Sequence, residues 1–443
     1  MKTLIKLVED IKRRKISPVE VVEDHLRRIS ELNPALNAIV TVAPDVLERA
    51  RAAEAAVMCG DQLGVLHGVP LTIKDTIETA GLRTTSGSKI RAGHVPTVDA
   101  SAVTRLKAAG AIILGKTNAA EMAMDYNADN PVFGRTNHPL DRKLTPGGSS
   151  GGEAAAIATD MSPGGLGSDL AGSVRIPAHF CGIAGLKPTT GRVPGDGQFP
   201  PSTGPYGLGA VIGPMARKVA DLRLLFGVLA DEVASNTDFK RFAWYRDDGS
   251  VPVTDETASA VANAASALTD AGLIGEERRP PHVERGNELW LKLFSRASVV
   301  QLRQVYAGRE REGGSFVSWR LSTADDTPAP TLDQYIADWM ERDRLREELL
   351  RWMETTSIIV APVGATPAYA HDTLKVTLRG QTMGTFRAFS YAQTFNVFDL
   401  PVVTVPAGRS PEGLPIGVQI VGRPNAEPAV LAAAEIVEQA LSA

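Results

Sequence analysis

Apolar residues recur at two periods along this chain, and the period switches repeatedly in its first third. Ser17-Pro-Val-Glu20 supplies a hydroxyl cap, a proline at the first helical position and a glutamate three residues on, which predicts a helix through about Leu32. Residues 37–42 predict a short strand, and the alanine-rich stretch 45–56 a helix. Residues 65–73 are apolar and β-prone, and the run stops at Lys74. A helix is expected over 101–109 and a buried strand over 111–114. Strands alternating with helices at this spacing predict an α/β fold whose sheet is covered by helices on both faces.

The pattern then weakens. From 147 to 213 the chain is glycine-rich and without clear period, so it reads as loop-like, and loops on a rigid scaffold carry chemistry. A helix returns over 216–229. Residues 231–355 are more charged, with a long helical pattern over 331–353 and a hinge-like stretch at 325–330. Buried strands are expected at 358–363, 402–405 and 416–421, and a last helix at 429–441. One large domain (1–443) thus divides into an N-terminal helical region (1–64), a core (65–230), a variable helical segment (231–355) and a return to the core sheet (356–443).

Composition narrows the function classes. The 443 residues are 43% apolar and 22% charged, ordinary for a globular enzyme. A net charge of −4 gives no electrostatic case for nucleic acid. Two cysteines, Cys59 and Cys181, are too few for a disulfide framework, and no Cys/His spacing suggests zinc. No apolar run approaches the ~18 residues that span a bilayer, and charges break the N-terminal stretch where a secretory signal would sit. The expected setting is cytoplasmic, with no membrane partner, as a monomer or homodimer.

The candidate chemistry lies in three places. Thr145-Pro-Gly-Gly-Ser-Ser-Gly-Gly152 puts two hydroxyls, Ser149 and Ser150, in a glycine-rich loop before a helical run. Ser173 follows in Ser168-Asp-Leu-Ala-Gly-Ser-Val-Arg175, and Lys74 precedes in Gly68-Val-Pro-Leu-Thr-Ile-Lys-Asp75. A lysine is a general base only when burial lowers its pKa, and Lys74 closes an apolar strand pattern. A serine between base and nucleophile can relay the proton. Leu170-Ala-Gly-Ser173 offers successive amides for an oxyanion. Other patterns carry less. Gly110-Ala-Ile-Ile-Leu-Gly-Lys-Thr117 fits the P-loop expression, but its variable residues read as a strand rather than a phosphate cradle. Ser149 also fits Gly-x-Ser-x-Gly, yet His179, His282 and His371 have no neighbourhood that argues for a triad.

The residues around these sites resemble the amidase signature family. The matching segments are Gly147-Gly-Ser-Ser-Gly-Gly-Glu-Ala-Ala-Ala156, Gly167-Ser-Asp-Leu-Ala-Gly-Ser-Val-Arg-Ile-Pro-Ala178 and Phe180-Cys-Gly-Ile-Ala-Gly-Leu-Lys-Pro188. Gly115-Lys-Thr-Asn118 and Gly413-Leu-Pro-Ile-Gly-Val-Gln-Ile-Val-Gly422 continue the likeness. The resemblance implies a single domain with a central mixed sheet. It implies a Ser–cis-Ser–Lys triad: Ser173 the nucleophile, Ser149 the bridge after a cis Gly148–Ser149 bond, Lys74 the base. Ser150 would support the nucleophile, and the amides of Leu170, Ala171, Gly172 and Ser173 would form the oxyanion hole. Asp169 and Arg175 would hold the loop. No metal or cofactor enters this chemistry. One departure stands out: the family usually has Gly-Gly before the nucleophile, and this chain has Ala171-Gly172, where an alanine resists positive φ.

The implied reaction is hydrolysis of a carboxamide C–N bond through an acyl-enzyme, on a small apolar or aromatic amide. Carbamate (urethane) and aryl-ester hydrolysis use the same triad. The A subunit of a glutamyl-tRNA amidotransferase complex is the alternative of another class. The segment 231–355 is expected to shape the pocket with aromatics such as Trp290 and Phe294, joined by Tyr126, Phe199 and Tyr206.

Overall fold

A computed structural model describes residues 2–231, 239–326 and 328–441. Its strands, in chain order, are β1 (Ile39–Val42), β2 (Pro70–Lys74), β3 (Ile112–Thr117), β4 (Gly164–Asp169), β5 (Ala184–Lys187), β6 (Val211–Ala216), β7 (Arg241–Trp244), β8 (Ile274–Glu277), β9 (Ile358–Pro362), β10 (Lys375–Leu378), β11 (Gln381–Gly384), β12 (Val402–Arg409) and β13 (Pro415–Gly422). Eleven of them form one sheet in the order β1-β3-β2-β4-β6-β5-β12-β13-β9-β7-β8, with β10 and β11 a separate hairpin. The sheet is mixed: β2 runs parallel to β3 and β4, and β7 to β8 and β9, while β4–β6, β6–β5, β5–β12, β12–β13 and β13–β9 are antiparallel.

Side-chain alternation divides the core between the two faces. In β9, Ile358 and Val360 join one apolar cluster and Ile359 and Ala361 the other. In β2, Leu71 and Ile73 enter the first cluster, while Thr72 and Lys74 face the opposite way. Helices Val219–Leu229, Asp255–Asp270 and Glu427–Leu441 pack over the first face. Helices Gly151–Ala158 and Arg175–Cys181 lie against the strands on the second, where Thr72 and Lys74 emerge.

The N-terminal expectations hold closely. The capping box at Ser17 opens a helix over Pro18–Leu36, and Ser101–Ala108 is helical. The strand expected over 65–73 is only its second half, β2, because 65–68 form turns. The helix expected from 216 begins at Val219, since β6 runs through Ala216. Thr331 caps the helix Leu332–Trp352 with a second capping box. Thr327, in the hinge-like stretch, lies outside the described residues.

Two expectations need correction. The glycine-rich stretch is only partly loop-like: β4, β5, the start of β6 and two helices fall within it, while 188–210 is largely irregular. Some of its glycines turn the chain with positive φ, as at Gly172 and Gly182, while those within β4 serve close packing. A Cβ on Gly165 would sit 2.1 Å from Thr72 O and 2.2 Å from Glu153 Oε1, and one on Gly167 would meet Ser150 Oγ at 2.8 Å. The variable segment is not wholly helical either, since β7 and β8 extend the sheet at its edge. No helix among the described residues is long and apolar enough to cross a membrane.

Candidate active site

Lys74 ends β2, an inner strand of the sheet between β3 and β4, with no solvent exposure. Its Nζ lies 2.6 Å from Ser149 Oγ and 2.9 Å from Ser168 Oγ. Burial lowers its pKa to about 7, although Asp169 and Glu153 pull it back up. Glu153 projects from the first turn of the helix Gly151–Ala158. Burial raises its carboxyl to about 7, against hydrogen bonds donated by Thr72 (2.5 Å) and Thr117 (2.7 Å). The Gly148–Ser149 peptide is cis. Ser150 N–H donates to Ser173 O at 3.2 Å, joining the two serine segments, and Ser150 Oγ donates to Ser168 O. Ser149 is fully buried, whereas Ser173 keeps 6% exposure and so meets the solvent side.

The loop from Asp169 to Arg175 is fixed on every side. The Asp169 carboxylate accepts from the N–H groups of Gly172 (2.9 Å) and Val174 (3.0 Å), from Asn396 Nδ2 (2.9 Å), and from Arg175 Nε and Nη2. Burial opposes its charge, but the Arg175 guanidinium beside it prevails and holds it below the usual carboxylate range. Arg175 also donates to Ala392 O and Gln419 Oε1, at 2.8 and 2.7 Å, with no exposure.

The hydrogen bonds of this loop fix the directions of its peptide groups. In a trans peptide the carbonyl and the following N–H point in opposite directions. Trp290 Nε1 donates to Leu170 O at 3.0 Å, so Ala171 N–H faces away from Trp290. Tyr126 OH donates to Ala171 O at 2.7 Å, and Gly172 N–H runs back to Asp169. Ile176 N–H donates to Gly172 O, which turns Ser173 N–H away from the helix that follows. Of the four amides expected in an oxyanion hole, Gly172's is therefore already engaged. The Ala171-Gly172 pair also finds its explanation. Gly172 adopts φ +108°, while Ala171 is not among the residues with positive φ, so the one position requiring glycine has it.

The amidase family model matches residues 20–431, nearly the whole chain. The chain belongs to the amidase signature family. It is thus a hydrolase of the family that acts on C–N bonds. The A subunit of glutamyl-tRNA(Gln) amidotransferase from Synechococcus sp. (strain JA-2-3B'a(2-13)) is 31% identical over 469 residues, covering 96% of this chain and 89% of that protein. A bacterial aryl acylamidase of the amidase signature enzymes superposes with a TM-score of 0.88 at 27% identity, covering 99% of this chain and 96% of that one. A 6-aminohexanoate cyclic dimer hydrolase complexed with substrate gives 0.86 at 27%, covering 99% and 97%.

Within this amidase, the pocket residues expected from sequence separate. Tyr126 sits beside the loop, stacked on Phe386 at 5.2 Å. Tyr206 is buried, donates to Phe294 O and stacks on the Phe294 ring. Phe199 lies apart, under Arg91, in a cluster with Met122, Tyr306 and Val317. The half-buried apolar groups next to the loop are Leu170, Trp290 and Phe386, with Trp290 and Phe386 in edge contact at 4.8 Å. Among the described residues, no histidine side chain is hydrogen-bonded to Ser149, Ser150 or Ser173. His179 uses both ring nitrogens, on Thr366 O and Gly417 N–H, and burial lowers its pKa to about 4. Ser168, Glu153, Asn396 and Gln419 were not singled out from sequence. Ser168 and Glu153 fall inside the quoted motifs, while Asn396 lies outside them and shows its role only in the folded chain.

Proposed function

We propose that this amidase hydrolyses small apolar or aromatic carboxamides through an acyl-enzyme on Ser173. The observation that carries the reading is the buried Lys74, its Nζ 2.6 Å from Ser149 Oγ and its pKa lowered to about 7. A neutral amine there takes the Ser149 proton as Ser149 takes that of Ser173. Ser173 Oγ attacks the carbonyl carbon, and the oxyanion is received by the amides of Ala171 and Ser173, with Leu170 beside them. The C–N bond breaks as the proton returns through Ser149 to the leaving nitrogen. Water then attacks the ester by the same relay, releasing the acid and restoring Ser173. Leu170, Trp290 and Phe386 offer an apolar wall, which favours an apolar or aromatic group over the charged head of free glutamine. Carbamates and aryl esters fit the same chemistry.

The relationship to amidotransferase A subunits favours one second reading, a glutaminase working within a complex. Assaying the purified chain alone on 4-nitroanilides, aryl carbamates, aryl esters and glutamine separates the two. The proposal expects anilide or carbamate turnover by the isolated chain, lost in Ser173→Ala. Turnover of glutamine alone, or activity surviving in Ser173→Ala, would refute it.

A further inference from the structure

We infer that Trp290 is a positioning residue for catalysis: its indole N–H, bound to Leu170 O, aims the Ala171 amide at the oxyanion. The inference rests on the serine mechanism above. Trp290 comes from the variable segment, at the end of the helix Gly286–Trp290, where a π-helical turn, Leu291–Ser295, begins. Such turns reorient the side chains around them and recur at functional sites. The indole is wedged between Phe386 (4.8 Å) and Phe294 (5.8 Å), which fixes its plane.

The same short helix reaches the loop a second way. Asn287 Nδ2 donates to Gln393 Oε1 at 2.8 Å, Gln393 Nε2 donates to Tyr126 OH at 3.0 Å, and Tyr126 OH donates to Ala171 O. Two successive carbonyls of the loop are thus held from one element. The helix itself is seated closely: a Cβ on Gly286 would lie 1.9 Å from Thr394 Oγ1. The carbonyl of Leu170 and the N–H of Ala171 belong to one rigid plane. Without the indole donor, the Leu170 carbonyl loses the hydrogen bond that sets this plane, and the Ala171 N–H loses its aim.

Trp290→Phe keeps an aromatic wall and removes the donor. Removing an oxyanion donor outright costs about 10²–10³ in kcat, so misaiming one should lower kcat by at least ~10-fold with KM within about twofold. Affinity for an aryl trifluoromethyl ketone, whose adduct carries the oxyanion, should fall by the same factor. Benzothienylalanine at position 290, which replaces N–H by sulfur at nearly constant shape, should reproduce the loss and guards against a misfolded variant. A raised KM with unchanged kcat in both variants would make Trp290 a wall only and overturn the inference. The underlying mechanism is read separately, by loss of activity in Ser173→Ala.

Discussion

The acid limb of the pH–rate profile reports the protonation of Lys74. An ordinary lysine titrates at 10.5, and here burial brings it to about 7. That lowering corresponds to about 5 kcal/mol of preference for the neutral amine. It raises the share of neutral lysine at pH 7 from roughly 0.03% to about half, on the order of 10³-fold. The sign follows from the role. The base works deprotonated, so kcat/KM should rise about tenfold per pH unit below 7 and level off above about 8. Asp169 and Glu153 both favour the charged form, so Glu153→Gln should move the limb to lower pH. The assay is kcat/KM for a 4-nitroanilide from pH 5.5 to 9.5 at constant ionic strength. A flat profile, or a limb near 10.5, would refute the argument from burial.

Two further variants test the loop. Gly172 has φ +108°, and a Cβ there would sit 2.6 Å from Ala392 Cβ and 2.8 Å from Ile176 Cδ1, so Gly172→Ala should lower kcat at least ~10-fold; near-normal kcat would show that the loop tolerates the shift. Arg175→Ala leaves the buried Asp169 carboxylate without its cation, and urea unfolding should show a loss of about 3–5 kcal/mol; a change below about 1 kcal/mol would contradict the clamp.

The readable and unreadable parts of this chain differ for physical reasons. Ser17 and Glu20 make a local capping box, so their helix was evident from four residues. Lys74 was conspicuous because a charge closes an apolar strand, and its full burial follows from that pattern. β4 was hidden because Gly165 and Gly167 leave room for Thr72, Glu153 and Ser150, which erases the alternation that marks a strand. Ala171 departs from the family pattern without strain because Gly172 alone of the pair carries the positive φ, and sequence does not say which of two adjacent residues does. Trp290 could not be told from other aromatics of its segment, since its hydrogen bond joins residues 120 positions apart. Phe199, expected beside Tyr126 in the pocket, packs in another cluster with Met122 and Tyr306, a placement set by long-range contacts that no local pattern marks.

The assignment of Ser173 as nucleophile and Ser149 as relay is the central claim, and covalent labelling addresses it directly. The protein is treated with an alkyl fluorophosphonate, which modifies an activated serine, and the site is mapped by peptide mass spectrometry. The account predicts one adduct per chain, on Ser173, absent from Ser173→Ala and slowed in Lys74→Met. An adduct on Ser149, or labelling that persists in Ser173→Ala, would contradict it.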